Sequence, residues 1–594
     1  MDDQQSQDVS GKAGLSRRSL ITRSALVAGA GLGAGVAGLP AAKAQAAAPG
    51  TSAPPAIVTK NDAPDVVILN GKISTVDASN STVEALAIRD GEIIATGGSG
   101  PVKALAQHGT LVIDLHGRRV LPGLIDGHLH GLRNGHHCFT RSVRLDNVLS
   151  RAQALELYSA KGPALAKNTW IFTTGGWTVN QLDKPGMFTI SELREALPDN
   201  PVFISGSGAS GVQVNSRALQ VLGLGAGSPG VEVDSSGNPT GRLTGPAITA
   251  AGAAVLAQLN ELSIDQQADC LADFIRSANS LGLTAWNDPE GNELPFDTGG
   301  SCTEFATGLH DHQPVIQLNR QGRLNARVTY HLMNNFSGLS QLLQDQRHAI
   351  GFMGDDMLRY LGIGEEVFCP GDQPPPDPAQ YQAIANFIAA NRMSFENHAS
   401  SDATQVAILN AWEKANDVQP LENLHWTIAH PGNDGVSPTD QTLARVKALG
   451  VGMTPGASGA LGTGHYPRFR SMYDSGIRLS LGSDAMNVAP YPPFVDLWYV
   501  VSGNTLDPAV PGISPDQRLT REQALRAKTV NGAWNLDQEG RLGTLEVGKH
   551  ADLIVLSDDY FTIPADDIRT ITSLLTIVAG KIAHASGEYK GLDE

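Results

Sequence analysis

Short apolar runs broken by turn residues mark both ends of the chain beyond residue 63. Asp65–Ile73 carries Val66-Val67-Ile68-Leu69 and then turns at Asn70-Gly71. Glu84–Ile94 holds two apolar stretches on either side of Asp90-Gly91, a pair suited to the positive φ of a hairpin turn. Leu111–Asp114 adds another short run, and Gly548–Leu556, Ile571–Val578 and Lys581-Ile582 repeat the pattern near the C-terminus. Runs this short, without helical period, predict strands. Together they predict one small β-sandwich, with residues 64–120 as its N-terminal part and residues 541–594 as its C-terminal part.

The long middle has a different rhythm. Apolar runs at Val120–Ile125, Trp170–Thr173, Val202–Ile204, Ala285–Asn287, Arg327–Tyr330, Ser394–Glu396, Leu424–Ile428, Val451–Thr454 and Leu479–Leu481 alternate with helical segments such as Ile264–Leu281 and Ala379–Ala390. Strand–helix alternation predicts parallel sheet. Roughly eight strands over this length predict an α/β fold, a (β/α)8 TIM barrel over residues 121–495 with further barrel helices over 496–540. The competing architecture, a doubly wound open sheet, calls for a glycine-rich phosphate loop after its first strand, and no convincing one is present.

The first 63 residues fit neither rhythm. Ser16-Arg17-Arg18-Ser19-Leu20 precedes a glycine-rich apolar run, Ala25–Leu39, and Ala44-Gln45-Ala46 has the small-x-small form of a cleavage site. This order reads as a secretory signal over residues 1–46. The paired arginines and weak hydrophobicity resemble a twin-arginine signal, with the twin-arginine export machinery as partner and a periplasmic or secreted destination. An uncleaved anchor is the alternative, although the run is short of the ~20 apolar residues of a span. Residues 47–63, rich in Pro and Ala, read as a linker.

Charge narrows the partners. The formal net charge of the 594 residues is −17, which argues against a nucleic-acid footprint, since phosphate contacts need clustered basic groups. A small-molecule substrate is the expected partner, and a homodimer is the symmetric default. Cys138, Cys270, Cys302 and Cys369 show no CxxC spacing, so no thiolate metal site or disulfide framework is expected. A single bridge such as Cys302–Cys369 is left open.

The chemistry lies at strand ends. Val120-Leu121-Pro122-Gly123-Leu124-Ile125-Asp126 runs into Gly127-His128-Leu129-His130. Residues i and i+2 of a strand share a face, so the two imidazoles can converge on one ion. His398, His430 and Asp484 each end a different later apolar run. Imidazole and carboxylate with an open position suit a catalytic divalent ion. For any one of these residues alone, a satisfied polar group or a helix cap is the competing role.

Taken together, these segments resemble the amidohydrolase superfamily, in its amidohydrolase 3 branch of YtcJ-like proteins. The likeness spans nearly all of the chain after the signal. It rests on Asn70-Gly71-Lys72-Ile73, Asp90-Gly91-Glu92-Ile93, Leu121–His130, Ile428-Ala429-His430, Gly482-Ser483-Asp484-Ala485 and Gly543–Leu553. The resemblance implies His128 and His130 as ligands of the more buried metal, His398 and His430 as ligands of a second, and Asp484 as the carboxylate that orients or deprotonates water. It also implies a bridging anion after the fourth strand, often a carboxylated lysine. The matching segment, Leu361-Gly362-Ile363-Gly364-Glu365-Glu366-Val367, has no lysine. Glu365, the preferred choice, or Glu366 would supply the carboxylate directly.

The chain also departs from the branch at Ser210, at Thr244-Gly245 and at Ser401-Asp402, positions where the branch commonly has a histidine, a glutamate-containing pattern and a Gly-Asp pair. Trp177, Asn180, Trp286, Asn287, His331, Trp426 and His465 are candidate pocket residues, with core packing the competing role for Trp177 and Trp426. The implied activity is hydrolysis of a carbon–nitrogen bond, in an amide or N-acyl substrate, by metal-activated water with one or two zinc ions and Asp484 as proton shuttle. The alternatives are a mononuclear hydrolase of esters or cyclic amides, and a catalytically decayed exported binding protein.

Overall fold

The computed structural model describes all residues except 1–62, 208–210, 290–311, 334–338, 347–349, 368–374, 376, 487 and 594. The signal and nearly all of the linker expected from the sequence, with Ser210, Cys302 and Cys369, lie outside the described residues.

The centre of the fold is a nine-stranded sheet in which eight strands follow one another in chain order. They are β1 (Leu124–Asp126), β2 (Leu283–Asp288), β3 (Arg327–Leu332), β4 (Leu358–Ile363), β5 (Ser394–His398), β6 (Thr427–Ala429), β7 (Gly452–Thr454) and β8 (Arg478–Leu479). Every neighbouring pair among them is parallel. Just beyond the two edge strands, the Gly127 amide donates to the Leu481 carbonyl at 3.0 Å. The sheet therefore curls until its first and last strands approach at their C-terminal ends.

Helices follow the strands and bury their apolar faces on the sheet. Ile264–Ser280 starts at a capping box, in which Ser263 accepts from the Gln266 amide and the Gln266 side chain returns to Ser263. It presents Leu271, Phe274, Ile275 and Ala278 to Trp286 of β2 and Val328 of β3. Pro378–Ala390 starts at Asp377, whose carboxylate accepts from the Ala379 and Gln380 amides. Among the described residues no single helix is long and apolar enough to cross a membrane; Pro246–Leu259 and Ile264–Ser280 pass that test only as a pair bent by 106°.

Three expectations about the strands need correction. Trp170–Thr173 and Val202–Ile204 do not enter the central sheet. They belong to Ile171–Thr178 and Val202–Ser207 of a separate five-stranded sheet, which closes with antiparallel strands at Val212–Val214, Pro239–Leu243 and Val231–Val233. Run length and apolarity are the same in both settings, so the local pattern does not separate them. Conversely, Leu358–Ile363 was not among the expected strands, because Gly362 and Gly364 give it the look of a loop. A Cβ at Gly362 would collide with the Ser394 backbone on β5, so the glycine is what lets the two strands pair. Finally, Val120–Ile125 divides at Gly123. Arg119–Pro122 pairs with the C-terminal strand Leu553–Leu556, and only Leu124–Asp126 joins the central sheet.

The two ends of the chain meet in a six-stranded sheet ordered Lys581–Ala585, Ser573–Val578, Leu553–Leu556, Arg119–Pro122, Lys72–Ser74 and Thr82–Val83. A four-stranded sheet of Glu92–Gly97, Ala85–Arg89, Val66–Leu69 and Leu111–Asp114 packs against it. Their shared core includes Val66, Ile68, Leu86 and Ile88 from one sheet and Val120, Val555, Leu575 and Ile577 from the other. This layer is bolted to the central sheet by Arg327, the first residue of β3, which forks onto Asp552 with hydrogen bonds of 2.7 and 3.0 Å.

A disulfide joins Cys138 to Cys270, a single bridge between a pair that the sequence did not single out. Cys138 follows the short helix Arg133–His136, which packs on the helix bearing Cys270. The partners are 132 residues apart, so spacing carries no signal for the pair.

Candidate metal centre

All six residues singled out from the sequence converge at the C-terminal ends of the parallel strands. His128 and His130 leave β1, Glu365 follows β4, His398 ends β5, His430 follows β6 and Asp484 follows β8. His430 (φ 62°) and Asp484 (φ 59°) sit in the left-handed region, which non-glycine residues occupy at a cost and mostly where a site demands it.

Two kinds of spacing occur. The His128 Nε2 stands 3.7 Å from Glu365 Oε2 and 3.7 Å from Asp484 Oδ1. The His130 Nε2 stands 3.7 and 3.4 Å from the same two oxygens. The 3.7 Å gaps are too wide for hydrogen bonds, and all four match the span between ligands around one ion: donors about 2.1 Å from a tetrahedral centre lie about 3.4 Å apart. Around the other oxygen of Glu365 the spacing is tighter. His398 Nδ1 and His430 Nε2 contact Oε1 at 2.5 and 2.8 Å, the distances of direct hydrogen bonds. Glu365 thus joins the two halves of the cluster, one oxygen to each. Glu366, the other carboxylate considered, belongs to none of the groups suited to holding an ion.

A divalent cation fits the first half on a specific observation. The His128 Nε2 is buried without a hydrogen-bond partner, an arrangement that is costly unless something else occupies its lone pair. The other ring nitrogen is fixed, because Nδ1 lies 2.6 Å from Glu396 Oε1. A carboxylate on Nδ1 sets the tautomer and directs Nε2 toward a metal.

Electrostatics agree. Burial pushes the His128 imidazole down, but the carboxylates of Glu396 and Glu365 outweigh it and raise the group to about 10. Burial would raise Glu365, yet the imidazoles of His128, His398 and His430 hold it well below the usual carboxylate range. Burial likewise works against Asp484, which His430 and His130 nevertheless keep low. Three closely placed carboxylates therefore demand positive charge, supplied either by protons on imidazole or by a cation.

Glu396 was missed as a site residue. It lies two positions before His398 on β5, so strand periodicity places both on one face. Its second oxygen accepts from Asn287 Nδ2, and His331 Nδ1 stands 3.9 Å away. Asn287 and His331 thus belong to the layer behind the ligands. Trp177 and Trp426 are core residues: Trp177 Nε1 donates to the Ser205 carbonyl and Trp426 Nε1 to that of Met393. Trp286 is buried against Phe274, Asn180 donates to Asp507, and His465 is exposed. Ser401 caps the helix Asp402–Val418, giving that departure from the branch a structural use.

A curled parallel sheet with imidazole and carboxylate groups at its C-terminal edge defines the class of metal-dependent hydrolases. A model described as the amidohydrolase family matches residues 111–584, and the chain belongs to that family. It is 24% identical over 575 residues to an N-substituted formamide deformylase of Arthrobacter pascens, covering 88% of this chain and 98% of that one. It is 23% identical over 556 residues to the amidohydrolase YtcJ of Bacillus subtilis, covering 86% and 98%. Among solved structures, a metal-dependent hydrolase from Pyrococcus furiosus shares the fold with a TM-score of 0.56 at 21% identity, covering 84% of this chain and 100% of that one.

Proposed function

We propose that the protein is a zinc-dependent hydrolase of a carbon–nitrogen bond in an amide or N-acyl substrate. The observation that carries this reading is the orphaned, buried Nε2 of His128 facing Glu365 and Asp484 at 3.7 Å. His128, His130, Glu365 and Asp484 would hold the ion. A divalent cation there lowers the pKa of water and polarises the electrophile.

The chain's own groups supply the rest. Asp484, still 16% exposed at its side chain, is placed to take a proton from the attacking water and return it to the leaving nitrogen. Glu396 keeps His128 in one tautomer. His398, whose pKa is raised by Glu365 against the effect of burial, lies at the more open side, 24% exposed at its side chain. The reading takes the curled sheet as a closed barrel with its seam at Gly127 and Leu481, because barrel enzymes build their sites at this face.

A mononuclear form has its own support. His398 and His430 touch Glu365 at hydrogen-bond distance, so a second ion between them would have to replace both bonds. The Arthrobacter relative makes N-formyl amides the first substrates to test. Metal counting on purified protein, followed by turnover of N-formyl and N-acyl amides, esters and cyclic ureas, decides the matter. Turnover of amides with one or two zinc equivalents is expected. Full metal content with no turnover across that panel would favour a decayed binding protein.

Export is also part of the proposal. It rests on Arg17-Arg18 and the apolar run that follows, and is supported by the Cys138–Cys270 bridge, since such bridges persist in oxidising compartments. Replacing both arginines by lysine should retain the protein in the cytoplasm; unchanged fractionation would contradict it.

A further inference from the structure

Below the candidate metal centre lies a second ionic cluster that the proposed chemistry does not use. Lys528, Asp126 and Asp496 are 0%, 0% and 1% exposed. Lys528 Nζ donates to Asp126 Oδ2 at 2.9 Å, to Asp496 Oδ2, and to the Leu481 carbonyl at 3.4 Å. The other oxygen of Asp126 accepts two backbone amides, from His128 at 3.1 Å and from Ser483 at 2.9 Å.

Those two amides belong to the segments that carry the ligands, one after β1 and the other after β8. Beyond them the segments stay in register: the Asp484 amide donates to the His128 carbonyl at 2.9 Å, and the His130 amide to that of Ala485 at 3.0 Å. Lys528 itself is anchored from below, where the Ile125 amide donates to its carbonyl at 2.8 Å. One carboxylate therefore grips both sides of the place where the edge strands meet, and one ammonium fixes that carboxylate. Through these contacts Asp126 is linked to both sides of the 3.4 Å gap between His130 Nε2 and Asp484 Oδ1.

We propose that Lys528 and Asp126 form a positioning latch that sets the separation of His128 and His130 from Asp484, and thereby the affinity and geometry of the metal centre. The latch rests on the metal-hydrolase reading above. Burying a lysine between two carboxylates is a weak way to add stability, whereas polar groups behind metal ligands hold those ligands in place.

The test compares the full-length wild type with Asp126→Asn, with Lys528→Met/Asp496→Asn, which removes one charge of each sign, and with Arg327→Met/Asp552→Asn as a buried-pair control remote from the ligands. Zinc dissociation constants come from chelator competition, the visible spectrum of the cobalt-substituted protein reports ligand geometry, and thermal melting reports stability. Both latch variants should weaken zinc binding by about tenfold or more and shift the cobalt bands. The control should leave affinity within about twofold whatever its effect on the melting temperature. If the double variant does not fold, the near-isosteric Asp126→Asn decides. Unchanged affinity and spectrum in the latch variants, or an equal loss in the control, would overturn the latch alone. A wild type that binds no zinc tightly would overturn the metal reading and the latch with it.

Discussion

Arg327 and Asp552 lie at the N-terminal end of the parallel strands, and the His128–Asp484 cluster lies at the other end. Both are buried and both are ionic, but they are built differently. Arg327 meets Asp552 in a two-pronged contact, its third nitrogen donates to the Asp356 carbonyl at 2.8 Å, and Asp552 also accepts the Ala579 amide at 2.8 Å. Each charge has its counter-charge. The other cluster crowds Glu365, Asp484 and Glu396 among imidazoles and leaves His128 Nε2 without a partner. A satisfied network holds parts together; a convergent one with an unpartnered nitrogen is the kind of arrangement that suits a cation. This division matches the rule for parallel β/α sheets, whose ligand sites lie at the carboxyl ends of the strands.

The comparison can be broken from either side. Asp484→Asn should cut turnover by about 10²–10⁴-fold, the range for losing a positioned acid–base group, while much of the metal is retained; steady-state kinetics with metal analysis checks this. Comparable turnover would remove Asp484 from the proton path. Arg327→Met should do the opposite. Stranding Asp552 in the interior costs about 3–5 kcal/mol, visible in chemical unfolding, while zinc affinity in the surviving folded protein stays near wild type. Loss of affinity at unchanged stability would erase the distinction between the two ends. Glu396→Gln should weaken metal binding by about 10–100-fold with only a small change in stability, because the amide still fills the space.

The same cluster also predicts a pH dependence. The folded-state pKa of His128 is raised to about 10 in the metal-free protein, from an ordinary value of 6.5. Its contribution to stability is therefore fully present below about pH 6.5 and fades as pH rises toward 10. Metal-free protein should lose stability over that window, and zinc-loaded protein should not, since the ion replaces the proton. Parallel pH profiles of melting temperature for the two forms would show that the cluster's demand for positive charge is not what governs it.

Much of the site was legible because its residues end apolar runs. His128, His130, His398, His430 and Asp484 each follow such a run, and Glu365 follows the glycine-spaced segment that became β4. What escaped was the layer behind them. Glu396 reads as one polar residue in a strand, and Lys528 as one lysine in a C-terminal helical stretch, because their meaning depends on strands brought together from hundreds of residues away. The terminal strands were legible as strands from their patterning, and their expected union is seen in the six-stranded sheet built from both ends. The runs near Trp170 and Val202 were misplaced because an apolar strand of that length looks the same in any sheet. The Cys138–Cys270 bridge was hidden for the same reason: only packing of the Arg133–His136 turn on Ile264–Ser280 brings the sulfurs together.

Glu365 joins the two halves of the cluster through its two oxygens, and the proposal gives it the place of a carboxylated lysine in a metal centre. Its most direct test is zinc titration of metal-free wild type and Glu365→Gln by calorimetry, in buffer stripped of carbon dioxide and in buffer with added bicarbonate. At least one tight equivalent in the wild type, independent of bicarbonate, and its loss in Glu365→Gln is the predicted result. Tight binding that survives in Glu365→Gln, or that appears in the wild type only with bicarbonate, would contradict the account.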